Sequence, residues 1–413
     1  MSKKIVLLSG LKIFPHLNGG HLRTGGVAKS LARLGHDVKI YSIAGRRDDY
    51  GFGEAYVEQR IETRLHEEIH LGLALGLVQA LARRLGLPRF WQYYAIRFGL
   101  ISWRMQQHLS EAELVICDLP YTPPVWAMER QKTWWLLSHN LEHKLLEQGS
   151  RLERLFAPWM RSLEARAPQR YKAILTCAPE DQKFFQSFAH REAAQILQVG
   201  NGIDPDVYGK AAEERQGLRE SWGLDEQDWL IVFSGSHFSP NMEALAVLRN
   251  FCRREGAFLR ERRIQFLVLG SICHQAQRDE FMIVTGRVPD TVPYFAAADA
   301  ALNPVVRGSG SNLKIFEYLA ARLPVISTGF GLRGTALKEG VDVLVYQGDE
   351  LKDRLDQLTR EGDKMSWRLH AEAVWDRHRQ SSDMTELLRQ ALGDILERDE
   401  NFAIPPAYVP LQT

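Results

Sequence analysis

The chain has 413 residues, enough for two domains with sizeable cores. Lys and Arg number 52 against 51 Asp and Glu, a balance that argues against a nucleic-acid partner or a polybasic tail. No apolar run reaches the ~20 residues of a membrane span, and Cys117, Cys177, Cys252 and Cys273 form no CxxC or Cys/His metal spacing, which predicts buried free thiols in a reducing cytoplasm.

The chain opens on MSKKIVLLSG, whose short apolar run (Ile5 to Ser9) leads into a polar glycine loop. That pattern predicts a first buried strand rather than a signal peptide. Asn18-Gly19-Gly20 follows, then a helix from about His21 to Leu34 stopped by Gly35, and a strand over Asp37 to Ile43. This is a βαβ opening without GxGxxG, so it is a weak dinucleotide signal. The glycine pair fits either a loop that needs glycine torsions or a backbone approached closely by a ligand.

From Ile61 to Leu109 the sequence is rich in Leu, Arg and aromatics and reads as helical, split by Pro88. The mixture of apolar and basic residues suits an amphipathic pair at a membrane surface, giving peripheral contact on its inner face; core-facing helices are the alternative. Leu114 to Cys117 is a strand ending in Asp118-Leu119-Pro120. Trp134 to Leu137 is another, ending in Ser138-His139-Asn140-Leu141-Glu142-His143. His139 therefore falls at a strand's carboxyl end, where α/β proteins place their chemistry. Ala173 to Cys177 is a strand, and Glu180-Asp181 begin a helix through Phe188.

Gln198-Val199-Gly200-Asn201-Gly202-Ile203-Asp204 contains the turn signal Asn-Gly. Asp204-Pro205-Asp206 imitates a D-x-D metal motif, but the proline argues for a turn. The βαβ pattern then restarts. Leu230 to Phe233 is a strand, followed by Gly235-Ser236-His237-Phe238-Ser239-Pro240-Asn241, with Ser239 as a good N-cap and Pro240 as a first helical residue. Ile264 to Gly270 is the next strand, and Ile283-Val284-Thr285-Gly286-Arg287-Val288-Pro289-Asp290 follows. Asp342 to Tyr346 is the last strand. The tail from Glu361 is helical, with Trp367, Trp375, Leu387, Leu388 and Leu392 on its apolar side, and it ends in an extended PPAYVPLQT.

The most informative stretch is Asp299 to Gly331, DAALNPVVRGSGSNLKIFEYLAARLPVISTGFG. It reads as a buried strand, a loop Arg307-Gly308-Ser309-Gly310-Ser311-Asn312, a helix from Leu313 to Arg322 closed by Pro324, and a strand PVIST. Backbone N–H groups at such a helix start, aided by the helix dipole, make a phosphate site. Lys314 and Glu317 lie one helical step apart and border the same place. An ordinary βαβ turn is the plainer alternative.

The pattern G-S-G-x-x-x-K-x-x-E-x-L-A-x-x-x-P-V-I-S-T resembles the nucleotide-sugar site of retaining glycosyltransferases of the GT-B fold, family 4. The resemblance covers nearly the whole chain, with its specific motifs concentrated between Asn201 and Gly331. It implies two Rossmann-like domains facing each other across a cleft, with a C-terminal helix crossing back to the first: an acceptor domain at 1–199, a donor domain at 200–375, and a return helix and tail at 376–413. Implied donor-site residues are Gly19, Gly20, Ser236, His237, Arg287, Val288, Arg307, Ser309, Gly310, Ser311, Asn312 and Leu313. Glu317 would hold the nucleotide ribose, His139 in its H-N-x-E would face the donor sugar, and Lys314 would meet the pyrophosphate.

Two departures stand out. The family's Arg and Lys near the first loop of the second domain are absent, leaving only His237. The first Glu of the family's E-x7-E falls on Ser309. Neither is fatal to a front-face mechanism in which the leaving phosphate takes the acceptor's proton, with no metal or other cofactor. The implied reaction moves a hexose from a UDP- or GDP-sugar to a glycan or lipid-linked acceptor of a bacterial surface polysaccharide. A nucleotide-sugar epimerase on the same fold, or a silent nucleotide-binding partner of a transferase, are the alternatives.

Overall fold

Apolar runs of four to six residues, buried along nearly their whole length, set the architecture. The computed structural model describes residues 2–14, 19–43, 56–70, 81, 84–85, 103–120, 122, 133–190, 194–204, 207–208, 212–308, 312–360 and 363–396. It divides into two compact units, Met1–Gly200 with Met384–Thr413, and Asn201–Asp383.

The first unit is built on an eight-stranded sheet in the order β3-β4-β2-β1-β5-β6-β7-β8. Its strands are β1 (Lys4–Ser9), β2 (Asp37–Ile43), β3 (Tyr56–Glu62), β4 (Leu65–His70), β5 (Leu114–Cys117), β6 (Trp134–Leu137), β7 (Ala173–Thr176) and β8 (Gln195–Gln198). All pairings are parallel except β3 with β4. Strands such as β1 and β5 are buried on both faces, which is why they read as continuous Ile/Val/Leu runs. Helix α1 (Gly19–Arg33) packs Val27, Ala28 and Leu31 on one face of the sheet.

The second unit has a seven-stranded sheet in the order β11-β12-β10-β9-β13-β14-β15. These are β9 (Trp229–Ser234), β10 (Ile264–Leu269), β11 (Gln277–Arg278), β12 (Met282–Gly286), β13 (Ala300–Asn303), β14 (Val325–Thr328) and β15 (Leu344–Tyr346). Only the short β11 runs antiparallel. Helices α2 (Ser239–Arg254) and α3 (Leu313–Ala320) follow β9 and β13. In both sheets the strand order reverses beside the first strand, at β1/β5 and at β9/β13. Open α/β sheets bind ligands at the carboxyl ends of such strands.

Several expectations need correction. Ile61–Leu109 is not helical throughout: Tyr56–Glu62 and Leu65–His70 form a hairpin whose second strand pairs with β2, and beyond it the described helical residues are Leu81, Arg84 and Trp103–Glu111. The buried Glu67 explains the hairpin. Its carboxylate accepts the N–H groups of Ile13 (2.6 Å) and Phe14 (3.0 Å), an amide proton of Gln59 (2.7 Å) and the Ser42 hydroxyl, so a charge sits in the core with its acceptors satisfied. Most of 71–102, the remainder of the expected membrane-contact stretch, lies outside the described residues.

Ser239 is not the N-cap of α2. The cap is Phe238, and the Ser239 hydroxyl turns instead to Glu243 at 3.2 Å.

The C-terminal tail is two helices rather than one, α4 (Lys364–Ser382) and α5 (Met384–Leu396). At the break Asp383 takes an extended conformation, and the Ser382 carbonyl accepts the Ile203 N–H at 2.9 Å. Trp375 of α4 enters the core of the second unit, whereas Met384, Leu388 and Leu392 of α5 pack with α1 in the first. The crossing back to the first unit thus falls at Met384, eight residues later than the expected start at 376. Strand β8, half-buried at the sheet edge, has no counterpart among the expected elements.

Candidate active site

In the second unit the site is built around the start of α3. Strand β13 ends at Asn303, fully buried, and the chain continues through Pro304 to Gly308. Ser309, Gly310 and Ser311 lie outside the described residues. Asn312 is the N-cap of α3 in extended conformation, with no side-chain cap bond. Its amide donates instead to the Gly331 carbonyl at 3.0 Å, and Asn303 donates to the same oxygen at 3.1 Å. A β-carbon on Gly331 would lie 2.3 Å from Ser327 Oγ and 2.5 Å from Asn303 Nδ2, so the turn after β14 closes on these side chains only with glycine.

Leu313 opens α3, and Lys314 and Glu317 follow on one face. Lys314 Nζ donates to Asn241 Oδ1 at 2.9 Å and lies 4.8 Å from the Phe233 ring centroid. Asn241 in turn donates to the Ser236 carbonyl at 3.1 Å, so the loop after β9 is tied to α3 through one amide side chain. Burial pulls the Lys314 ammonium down to about 7, against the opposing charge of Glu317. Glu317 is 8 % exposed and accepts the Tyr208 hydroxyl at 3.1 Å. Burial pushes its carboxyl up to about 7, although the Tyr208 hydrogen bond and Lys314 favour the ionised form.

The other expected cations are arranged differently. Arg307 forks onto the Glu243 carboxylate and donates to the Ser239 hydroxyl at 2.9 Å. Arg287 is exposed and makes no side-chain bond among the described residues, and Val288 packs on the core. His237 Nδ1 lies 3.4 Å from the Ile272 carbonyl oxygen, with its ring against His274. Beneath this loop Gly270 has φ +101°, and a β-carbon there would meet the Gly235 oxygen at 2.7 Å. The ends of β9 and β10 therefore touch backbone to backbone.

In the first unit His139 stands at the carboxyl end of β6. Its Nε2 is 3.2 Å from Thr24 Oγ1 of α1, while the buried Nδ1 has no partner among the described residues. Burial, reinforced by the charges of Arg23 and His21, pulls its imidazole down to about 3. Gly19 and Gly20 are the first residues of α1 rather than a free loop. Residues 15–18 lie outside the described residues.

Sequence reasoning missed three groups. Asp118, at the end of β5 and 5 % exposed, is pushed up to about 7 by burial, against hydrogen bonds from Ser9 and the Gly10 N–H. Its position at the end of a strand beside β1 was the available signal. Glu164 is buried and accepts the N–H of Glu142 at 2.6 Å and His143 Nδ1 at 2.5 Å, fixing the helix that follows the His139 turn. Tyr208 belongs to no motif and is visible only through its contact with Glu317.

Comparison with known proteins defines the class. Residues 229–361 match the family model of glycosyl transferases group 1. No curated protein sequence matches significantly. Among solved structures, sucrose-phosphate synthase from Thermosynechococcus elongatus is similar with a TM-score of 0.65 at 13% identity, over 96% of this chain and 100% of that one. Anabaena HepE, solved with UDP and glucose, gives 0.62 at 14% identity over 96% and 100%. WaaG, a glycosyltransferase involved in lipopolysaccharide biosynthesis, gives 0.58 at 19% identity over 96% and 100%. The two parallel-sheet units thus have the architecture of GT-B glycosyltransferases. The matched group 1 domain lies in the second unit, and the chain is an enzyme, a glycosyltransferase.

Proposed function

We propose that this glycosyltransferase moves a hexose, with retention of anomeric configuration, from a UDP- or GDP-sugar to a glycan or lipid-linked acceptor in the synthesis of a bacterial surface polysaccharide. The observation that carries the reading is the pairing of Lys314 and Glu317 on one face of α3, at the carboxyl edge of the second sheet. An ammonium there stabilises pyrophosphate charge as the glycosidic bond breaks, and a carboxylate accepts ribose hydroxyls. The solved complexes of HepE with UDP and glucose, and the role ascribed to WaaG, support a nucleotide-sugar donor and a surface-glycan product.

In this reading the front-face route needs neither metal nor cofactor. Charge at the leaving group is met by the start of α3 and by Lys314, and the departing phosphate takes the acceptor's proton. His139, neutral because of its burial, offers a hydrogen bond to the sugar rather than a proton. The enzyme works in the cytoplasm. Among the described residues no helix is long and apolar enough to cross a membrane.

A second reading has one observation in its favour. Arg307, a candidate phosphate ligand, is engaged by Glu243, which suits a partner protein that binds nucleotide without turnover. A thermal-shift screen with UDP, GDP, ADP and their sugars tests binding, since ligand at ~100 times Kd adds about 2.7 kcal/mol of apparent stability. Nucleotide released only when acceptor is present establishes transfer. Binding without turnover on any acceptor establishes the second reading, and absence of binding by all of them removes both.

A further inference from the structure

Tyr208 lies four residues past Asp204, in the short segment that opens the second unit, and nothing in its sequence surroundings marks it. Its hydroxyl donates to Glu317 Oε1 at 3.1 Å, and its ring packs against Phe295 with centroids 6.1 Å apart. Burial, followed by the negative charge of Glu317, holds the phenol well above its usual range, so it stays a donor. Asp290 and Asp204 act on it in the same direction. Glu317 also faces Lys314, one step back on α3, while the neighbouring Tyr318 hydroxyl is engaged by the Ser234 N–H at 2.9 Å and by the Ser234 hydroxyl. Tyr208 is therefore the one hydrogen-bond donor to the Glu317 carboxylate among the described residues.

We propose that Tyr208 is a positioning residue of the donor site: its hydroxyl occupies one carboxylate oxygen of Glu317, keeps that group ionised and oriented, and leaves the second oxygen to the vicinal diol of the donor's ribose. This rests on the reading of Glu317 as the ribose ligand. The geometry separates two jobs within one side chain. The ring fills space against Phe295, and only the hydroxyl reaches Glu317, so Tyr208→Phe removes the second job and keeps the first. A buried carboxyl that loses a donor to its charged form becomes harder to ionise. Donor binding by the variant must then fail first on the acidic side.

The test is calorimetric titration of the full chain with UDP, GDP and ADP from about pH 6 to about pH 8.5, using wild type, Tyr208→Phe and Glu317→Gln. With whichever nucleotide binds the wild type most tightly, Tyr208→Phe is expected to bind roughly three- to tenfold more weakly at the acidic end and to rejoin the wild type at the alkaline end. Circular dichroism and melting of the variant check that the fold is kept. If Tyr208→Phe follows the wild type at every pH while Glu317→Gln is weakened, the hydroxyl only packs and the proposal falls. If Tyr208→Phe binds more tightly throughout, the hydroxyl competes with the ribose and the proposal is again overturned. If Glu317→Gln binds as the wild type does, or no nucleotide binds at all, it is the ribose reading that has failed.

Discussion

Lys314 Nζ donates to Asn241 Oδ1 across 2.9 Å, so this ammonium at the start of α3 is held by a neutral amide and not by a carboxylate. Burial pulls the ammonium down to about 7, although the charge of Glu317 opposes the shift. A bound pyrophosphate would restore the charged form.

Lys314→Ala is expected to lower kcat/KM by about 10- to 150-fold, from the roughly 1.5–3 kcal/mol of a charge-assisted hydrogen bond. Lys314→Arg should be milder. If the contact strengthens as the leaving group gains charge, kcat falls together with the rise in KM. Kinetics within about twofold of wild type would place Lys314 outside the transition state and turn attention to Arg307, Arg287 and His237.

The pH dependence of donor binding follows from the same helix. Charged Lys314 is lost as pH rises through about 7, and ionised Glu317 is lost as pH falls through about 7. Nucleotide affinity should therefore peak near neutrality and fall on both sides, with limbs that belong to the pair. Glu317→Gln should flatten the acidic limb and Lys314→Arg the alkaline one. A profile flat from about pH 6 to about pH 9 would remove both groups from the donor site.

The sequence made some of this legible for a physical reason. Strands such as β1, β9 and β13 are buried along their length, so their apolar runs declare them, and the helix after β13 shows its period through Leu313, Ile315, Phe316 and Leu319. Strand β4 was hidden because Glu67 and Glu68 are charged yet fully buried. The groups that make Glu67 tolerable, the N–H groups of Ile13 and Phe14, lie more than fifty residues away. The break at Asp383 has no proline or glycine to announce it, and it depends on Ile203 bonding to Ser382. Tyr208 and Asn241 reach the site by side-chain contacts that no spacing rule encodes.

Metal dependence offers a separate check. With leaving-group charge assigned to α3 and Lys314, chelation by EDTA should leave turnover unchanged. Loss of turnover restored by Mn²⁺ would return Asp204 and Asp206 to consideration as ligands. Asp204 is described, whereas Asp206 lies outside the described residues.

His139 gives a prediction with an opposite sense from an acid–base histidine. With its imidazole pulled down to about 3, it is neutral at every pH where the enzyme is assayed. His139→Ala should reduce kcat/KM by about three- to tenfold, the value of a neutral hydrogen bond, and leave the shape of the pH–rate profile unchanged. A limb near pH 6.5 that disappears in the variant would instead make His139 a proton carrier.

Asp299 tests the frame rather than the site. It precedes β13, about 13 Å from Asn303 at four residues of strand rise, so its loss should not touch the chemistry. Its buried carboxylate accepts from Arg215 at 2.5 Å, Arg219 at 2.9 Å, Lys364 at 3.1 Å and the Leu230 N–H at 2.9 Å. Burial alone would raise its carboxyl, yet the Lys364, Arg215 and Arg219 charges outweigh that and hold it below the ordinary value. A carboxylate with a depressed folded pKa gives stability that is complete above its unfolded pKa of about 3.9 and is lost as pH falls through the folded value. Asp299→Asn leaves three cations around a neutral amide and should cost roughly 3–5 kcal/mol at neutral pH, the cost of breaking a buried pair. The deficit should shrink in acid, where the wild type loses the same charge. Denaturant melts at several pH values, read by fluorescence, measure it. Equal destabilisation in acid and at neutrality would mean that packing, and not charge, is what Asp299 supplies.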